Sequence, residues 1–260
     1  MVGDNVIFEV LDDAEKSGNI DTVLPRKNSL VRPAVANIDQ AMIIFSIVKP
    51  EPNLSLLDRF LVMMEEQEIP CLICFNKMDL AAPPALAELC AAYESCGLSL
   101  FACSALTGTG MEAVFSALKG KSTVLAGPSG VGKSTILNQL YPAAQAATAT
   151  LSKKIERGRH TTRHTEIFCL DDAAAPGKGT YILDTPGFSA LFLAKTDKLM
   201  LKDCYPEFAP YLGACRFSEC VHISEPDCAV KAALSQGHIS YIRYDNYRRL
   251  YAELESVRKY

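Results

Sequence analysis

The chain has 260 residues, of which 49% are hydrophobic and 22% are charged, and its formal net charge is −4 at pH 7. This composition is typical of a globular protein and excludes a disordered chain. The excess of acidic residues argues against a protein that coats nucleic acid along its whole surface. The sequence contains no stretch apolar enough for a spanning helix and no visible secretory signal. We therefore expect a cytoplasmic protein without a membrane partner.

The predicted elements change character twice along the chain. Residues 1–36 read as short strands with turns, including a strand at 6–10 and a turn at Gly18–Asn19. Strands then alternate with helices, which predicts an α/β fold with a largely parallel sheet covered by helices on both faces. Beyond about residue 195 the sequence becomes helical and rich in Cys and His. Strands are predicted at 40–48, 69–75, 98–104, 122–127, 166–170 and 180–184, and helices at 54–64, 85–97, 111–120, 133–141 and 241–260.

A glycine-rich segment, GPSGVGKST, lies between a predicted strand and a predicted helix. It matches the P-loop pattern G-x4-G-K-[ST], in which backbone N–H groups and a helix N-terminus bind phosphates. In this pattern Lys133 would contact the β- and γ-phosphates during catalysis and Ser134 would bind Mg²⁺. The alternative is a glycine-rich turn without a ligand. The residues predicted to bind nucleotide here are Gly127, Pro128, Ser129, Gly130, Val131, Gly132, Lys133, Ser134 and Thr135.

A second phosphate motif, DTPG, follows the predicted strand at 180–184. Asp184 stands where P-loop enzymes place a carboxylate for Mg²⁺, and the backbone N–H of Gly187 can reach a γ-phosphate. The alternative is an ordinary turn after a strand.

Two further loops favour guanine as the base. Asn76, Lys77, Met78 and Asp79 form an NKxD motif, in which the Asp79 carboxylate can accept hydrogen bonds from guanine N1–H and the exocyclic amine. Adenine would leave that acid unpaired, at a cost of about 1–3 kcal/mol. Ser104 and Ala105 form a second base loop, in which the Ala105 N–H would contact the base. Both base loops precede the P-loop, which reverses the usual order.

The motifs NKMD, SA, GPSGVGKST, GRHTT and DTPGF, in this order, resemble the circularly permuted GTPases. VLPRKNSLVRP and VANIDQ before them, and a Cys/His segment after them, resemble the ribosome small subunit-dependent GTPase A (RsgA) family. The resemblance implies an OB-type barrel, a permuted P-loop GTPase domain and a C-terminal helical zinc-binding domain. It also implies slow GTP hydrolysis, stimulated by the 30S ribosomal subunit and its 16S rRNA, late in maturation of that subunit.

The same resemblance sets the expected domain boundaries. The family's barrel has five strands, whereas residues 1–36 suffice for about two, so we expect a truncated N-terminal OB-type β segment there. The permuted GTPase domain is expected at 37–194 and the zinc-binding domain at 195–260.

The segment RGRHTTRH at 157–164 resembles the first switch of this family. Thr161 or Thr162 would complete the Mg²⁺ coordination, and we favour Thr162. The basic residues of this loop would contact phosphates of nucleotide or rRNA, or simply be solvated.

Phe188 occupies the place after DxxG where many GTPases have a water-orienting Gln. Intrinsic hydrolysis should therefore be slow, and His160 is a candidate catalytic residue.

Three cysteines and one histidine form the pattern Cys215-x4-Cys220-x-His222-x5-Cys228. Without a secretory signal, this spacing predicts a closed structural zinc site rather than disulfides, and scattered buried thiols are the alternative. Cysteines in apolar strands, such as Cys103 and Cys169, are interpreted as small hydrophobic residues.

The tyrosine-rich tail at 241–260 could dock on rRNA or cover the zinc domain.

These observations together predict a monomeric, Mg²⁺-dependent GTPase that binds GTP or GDP and one structural Zn²⁺ ion. A non-catalytic GTP/GDP-sensing RNA-binding module is the alternative, motivated by Phe188 and the short barrel. An ATP-using P-loop protein would require Asp79 to be irrelevant to base choice.

Overall fold

The computed structural model describes residues 1–12, 15, 17–30, 34–141, 165–171, 179–185 and 196–256. The strands within these ranges are β1 (Val6–Asp12), β2 (Ser17–Val23), β3 (Ser29–Leu30), β4 (Val35–Ala36), β5 (Gln40–Ser46), β6 (Cys71–Asn76), β7 (Ser99–Ala102), β8 (Ser122–Ala126), β9 (Glu166–Cys169) and β10 (Tyr181–Asp184). The helices are α1 (Leu54–Glu65), α2 (Pro83–Tyr93), α3 (Met111–Leu118), α4 (Lys133–Leu140), α5 (Ala229–Ser235) and α6 (Tyr241–Ser256). Each predicted strand and helix after residue 37 is present, with ends shifted by a few residues.

A six-stranded sheet with the order β7-β6-β5-β8-β10-β9 forms the centre of the molecule. Its first five strands are mutually parallel, and β9 pairs antiparallel with β10 at one edge. All seven residues of β5 are buried, as expected for a central strand covered on both faces.

The two faces of the sheet are covered by different helices. Ile43 and Phe45 of β5 belong to the core that also contains the apolar residues of α1 and α2. Met42 and Ile44, which alternate with them along the strand, belong to the core formed with α3 and α4. The predicted α/β architecture with helices on both faces is therefore confirmed.

The N-terminal residues form an antiparallel hairpin of β1 and β2. The turn predicted at Gly18–Asn19 is wrong, because both residues lie inside β2, where Gly18 pairs with Val10. A Cβ at Gly18 would approach the Glu9 carbonyl oxygen to 2.6 Å, so the glycine permits close strand pairing beside an irregular register rather than a turn. Large apolar side chains are exposed on this hairpin, namely those of Ile7, Phe8, Val10, Leu11 and Ile20.

The C-terminal residues have their own core of aromatic side chains. Tyr205 lies between two short 3₁₀ segments and Phe208 lies on the second of them, and both pack against Tyr247 of α6 with ring centroids 5.1–5.2 Å apart. Tyr244 and Tyr251 of the same helix are also buried in this core. The described part of the tail therefore covers the C-terminal region, as one of the two interpretations of its sequence proposed. Among the described residues, no helix has the length and apolar character needed to cross a membrane.

A buried ionic network joins the C-terminal region to the sheet-covering helix α1. Arg243 of α6 donates from Nη1 to Asp58 Oδ1 at 2.6 Å and from Nε to Glu207 Oε1 at 2.7 Å. Asn246 and Tyr93 also donate to the Asp58 carboxylate, at 2.8 and 2.9 Å. Arg243 is 1% exposed and Asp58 is fully buried, so water cannot replace a missing partner. Burial raises the pKa of Asp58, and the Arg243 guanidinium opposes that rise.

Replacing Arg243 with Met is expected to lower the free energy of unfolding by about 3–5 kcal/mol, because it leaves two carboxylates buried without their cation. Chemical denaturation followed by circular dichroism would measure the change. Arg249→Met is the matched control, since Arg249 lies on the same helix with its side chain 71% exposed in an ion pair with Asp245. The control should change stability by less than about 0.5 kcal/mol. Equal effects of the two variants would contradict a structural role for the network.

Candidate functional site

The described residues of the predicted phosphate and base motifs lie at one edge of the sheet. The parallel strands β6, β7, β8 and β10 end at Asn76, Ala102, Ala126 and Asp184. The carboxyl ends of parallel strands share one edge, which is where ligands bind in open α/β sheets. The reversed order of the motifs along the chain therefore does not separate them in space.

The base loop and the P-loop are in direct contact. Asn76 Nδ2 donates to the Val131 carbonyl oxygen at 2.9 Å, across 55 residues of sequence. Lys77 Nζ donates to the carbonyl oxygens of Gly130, at 2.7 Å, and of Lys49, at 2.6 Å. These contacts fix the distance between the two loops, as a ligand that spans both of them requires.

Two glycines of the P-loop lie where other atoms leave no room for a side chain. Gly127 has φ of +143°, and a Cβ there would lie 2.2 Å from the Ile44 carbonyl oxygen. Gly132, with φ of +99°, is the N-cap of α4, and its Cβ would lie 2.3 Å from Asn76 Nδ2. Any larger residue at either position would displace backbone or the base-loop asparagine.

Lys133 begins α4 and folds back over the loop. Its Nζ donates to the carbonyl oxygens of Gly127 and Pro128, both at 2.9 Å. Burial lowers the pKa of Lys133, and the nearby Asp184 carboxylate opposes that shift. The ammonium is thus held inside the curve of the loop, where phosphate oxygens would meet it.

Two oxygen-bearing side chains suited to Mg²⁺ flank Lys133. Asp184, at the end of β10, is 5% exposed and lies close enough to Lys133 to interact electrostatically. Ser134, the next residue of α4, is exposed. Carboxylate and hydroxyl oxygens are hard ligands of the kind that Mg²⁺ prefers, so this pair fits the predicted metal.

The base side of the site is built from the ends of β6 and β7. Asp79 is exposed on a 3₁₀ turn, Met78–Leu80, and Lys77 before it has φ of +66°. The N–H of Ala105 donates to Asn76 Oδ1 at 3.0 Å. Ala105 was predicted to offer that N–H to a base, which it can do only by sharing the proton with Asn76. The Ser104 hydroxyl is buried and accepts from the Thr107 N–H at 3.2 Å, so it closes the turn.

Several predicted residues lie outside the part of the chain that the structure describes. These are His160, Thr161, Thr162, Gly187 and Phe188. Their predicted roles in catalysis, Mg²⁺ binding and γ-phosphate binding stay predictions.

The Cys/His pattern forms a single cluster. The ligand atoms of Cys215, Cys220, His222 and Cys228 all lie within 4.8 Å of one another. His222 Nδ1 is 3.3 Å from Cys228 Sγ and 3.6 Å from Cys215 Sγ, and those two sulfurs are 3.8 Å apart. Sulfur and nitrogen ligands around one tetrahedral Zn²⁺ ion stand roughly 3.5–3.8 Å apart. The spacing therefore fits a zinc ion bound through Nδ1 of the histidine.

The loop that carries the cluster is fixed by surrounding hydrogen bonds. The Glu225 carboxylate accepts from the backbone N–H groups of Val221, Ile223 and Ser224. Tyr244 and Tyr247 donate to the carbonyl oxygens of His222 and Val221, at 2.7 and 2.6 Å. His222 Nε2 is buried and finds no hydrogen-bond partner within the described ranges. A zinc ion bound at Nδ1 would fix the imidazole proton on Nε2.

Sequence reasoning missed two contributors to the base site. The Lys49 carbonyl oxygen holds the Lys77 ammonium, and the Cys103 carbonyl oxygen accepts from the Met78 N–H at 3.1 Å. Both act through the main chain, which no side-chain motif can indicate.

The chain is similar to one family throughout its length. The RsgA GTPase family model matches residues 23–194. Curated relatives named small ribosomal subunit biogenesis GTPase RsgA include that of Agathobacter rectalis, 52% identical over all of this chain and 84% of the relative. The relative from Alkaliphilus metalliredigens is 44% identical over all of this chain and 87% of its own length.

Two solved structures share the fold. YjeQ from Thermotoga maritima is 36% identical, with a TM-score of 0.79 over 99% of this chain and 85% of that one. YloQ, described as a circularly permuted GTPase, is 31% identical, with a TM-score of 0.75 over all of this chain and 82% of that one. The order of motifs around the sheet is thus that of a permuted GTPase fold.

Proposed function

This chain belongs to the RsgA GTPase family, and we propose on that premise that it hydrolyses GTP to GDP and phosphate during maturation of the small ribosomal subunit. The observation that carries the proposal is the hydrogen bond from Asn76 to the Val131 carbonyl oxygen, which joins a guanine-type base loop to a P-loop. One nucleotide placed across this junction would have its base beside Asp79 and its phosphates beside Lys133.

The phosphate side of the site supports binding of GTP with Mg²⁺. The amides of residues 127–135 would surround the phosphates, and the Lys133 ammonium would neutralise charge on the β- and γ-oxygens. Ser134, Asp184 and Thr162 would hold the metal, with Thr161 as the alternative to Thr162. Bound Mg²⁺ would supply further positive charge to the phosphates as the β–γ bond breaks.

Attack on the γ-phosphate requires a positioned water molecule. Phe188 has no group that can orient water, so the isolated protein should turn over slowly. His160 is the candidate for this role, and the amide of Gly187 is the candidate donor to the γ-phosphate. We propose that contact with the 30S subunit completes the arrangement and raises the rate.

The remaining features fit a factor that works on the ribosome. We propose 16S rRNA as the contact surface, a cytoplasmic location, and a monomer as the active form. The division at 37 and 195 into a β segment, a permuted GTPase domain and a zinc-binding domain belongs to the same proposal.

The test is GTP turnover with and without purified 30S particles, with ATP as the control nucleotide. We expect the protein alone to release phosphate from GTP slowly and the 30S particles to increase that rate clearly. We expect no phosphate release from ATP. Lys133→Ala should lower the stimulated rate at least about 100-fold, because it removes the cation that stabilises the transferring phosphoryl group. Guanine-nucleotide binding without turnover under any of these conditions would favour the non-catalytic sensing module instead.

A further inference from the structure

Two buried cysteines from different strands meet directly beneath the base loops. Cys74 lies on β6, and Cys103 follows the last residue of β7. Their Sγ atoms are 3.5 Å apart, and neither residue has any exposed surface. The sequence indicated only that Cys103 is a small hydrophobic residue, because nothing local shows that the two strands are neighbours.

Cys103 is hydrogen-bonded to the NKMD base loop and directly precedes Ser104 of the other base loop. Its backbone N–H donates to the Phe75 carbonyl oxygen at 2.9 Å, and its carbonyl oxygen accepts from Met78 of the NKMD motif. Its thiol donates to Asn76 Oδ1 at 3.6 Å, the oxygen that also accepts from the Ala105 N–H. A change at the Cys103 sulfur therefore acts directly on Asn76 and, through the same Asn76 oxygen, on Ala105.

We propose that Cys74 and Cys103 form a redox-sensitive thiol pair whose oxidation to a disulfide weakens guanine-nucleotide binding. The inference rests on the proposed function, since it assigns a regulation to the same site. A disulfide needs an S–S distance of about 2.05 Å, so the sulfurs must approach by about 1.5 Å. That movement takes the Cys103 sulfur away from Asn76 and pulls on the turn that carries Ser104 and Ala105.

The chemistry balances with a peroxide as the oxidant. The Cys103 thiolate attacks the O–O bond of hydrogen peroxide, which gives a sulfenic acid and releases one water after proton transfer. The Cys74 sulfur then attacks the Cys103 sulfur, forms the S–S bond and releases a second water. Two thiols lose two electrons and two protons, and a dithiol reductant reverses the step.

The two thiols affect each other's pKa in opposite directions. The hydrogen bond with Cys103, together with burial, raises the pKa of Cys74. The hydrogen bond from Cys74 lowers the pKa of Cys103. In the proposed reaction Cys103, whose thiol also contacts Asn76, is the attacking thiolate and Cys74 is the resolving thiol.

Access to the pair should depend on the nucleotide. Peroxide can reach the sulfurs only when the turn after β7 opens, and Leu106 in that turn is 76% exposed. A nucleotide seated on Asp79 and Ala105 would hold the turn closed. Oxidation should thus be faster in the nucleotide-free protein than in the GDP-bound protein.

The experiment treats the zinc-loaded full chain with hydrogen peroxide, with and without GDP. Trypsin cleaves after Lys77, so Cys74 and Cys103 fall in different peptides, and mass spectrometry with fragmentation identifies the link. A fluorescent GDP analogue measures affinity before and after oxidation, and a chromogenic chelator reports any zinc released. We expect the Cys74–Cys103 link to form at least fivefold faster without GDP and to weaken GDP binding at least tenfold, reversibly with a dithiol.

Cys71→Ala is the matched control, because Cys71 lies three residues before Cys74 on the same strand and in the same peptide. This variant should still respond to peroxide, whereas Cys74→Ala should bind GDP and lose the response. Failure to form the link, or a link that leaves affinity unchanged, overturns the inference while the proposed function stands. Reduced protein that does not bind GDP would instead contradict the proposed function.

Discussion

Removing the metal from the cluster of Cys215, Cys220, His222 and Cys228 is expected to unfold the C-terminal region. Coordination by structural zinc sites contributes on the order of 10 kcal/mol to the folding of small domains. The core around Tyr205, Phe208 and Tyr247 is small, and the loop that closes it carries the ligands. Without the ion, three sulfurs and an imidazole would remain crowded together with only weak hydrogen bonds to hold them.

The measurement is zinc content by elemental analysis, combined with circular dichroism and limited proteolysis before and after treatment with a chelator. We expect about one zinc per chain. On its removal, residues 201–256 should lose helical signal and become protease-sensitive.

Cys228→Ser should reproduce the effect of the chelator. Cys204→Ser is the matched control, because Cys204 is buried in the same core and, within the described residues, its thiol donates a hydrogen bond to the Met200 carbonyl oxygen, at 3.8 Å, rather than to the Cys/His cluster. A C-terminal region that stays folded and protected after complete metal loss would show that the cluster is not a structural site.

Much of the fold could be predicted because its information is local. The apolar run at 40–48 predicts a strand buried on both faces, and β5 is that strand. Leu54, Leu57, Leu61 and Met64 repeat at helical spacing, and they lie along α1. The motif loops could also be placed at one sheet edge, because each follows a parallel strand and the carboxyl ends of parallel strands lie at the same edge of the sheet.

The features that sequence could not show depend on distant contacts. Asp58 and Arg243 are 185 residues apart, and either one alone reads as an ordinary surface charge on a helix. Cys74 and Cys103 likewise read as core residues until the neighbouring positions of β6 and β7 are known. Gly18–Asn19 has the composition of a turn, but the pairing of β1 with β2 overrides that local preference.

Replacing Asp79 with Asn is expected to change the base preference of the site from guanine to xanthine. The carboxylate accepts from guanine N1–H and from the exocyclic amine, whereas an amide has one acceptor and presents an N–H donor toward the second position. Facing guanine, that donor opposes the exocyclic amine, and both groups lose a partner. Xanthine carries an oxygen at that position, which can accept from the amide.

The affinity for GDP should fall at least about 100-fold, because a site built to hydrogen-bond a ligand strongly rejects the analogue that leaves its polar groups unpaired. The affinity for XDP should rise, and the affinity for ADP should stay negligible. Competition against a fluorescent nucleotide measures all three. Glu112→Gln is the matched control, since Glu112 is an exposed acid in the first turn of α3, close along the chain to Ala105.

The control should leave every affinity within about twofold, because an exposed acid away from the base contributes little through a screened interaction. Stability should be unaffected in both variants, since Asp79 is exposed and its replacement keeps the size of the side chain. An unchanged preference for GDP in Asp79→Asn would place the base elsewhere.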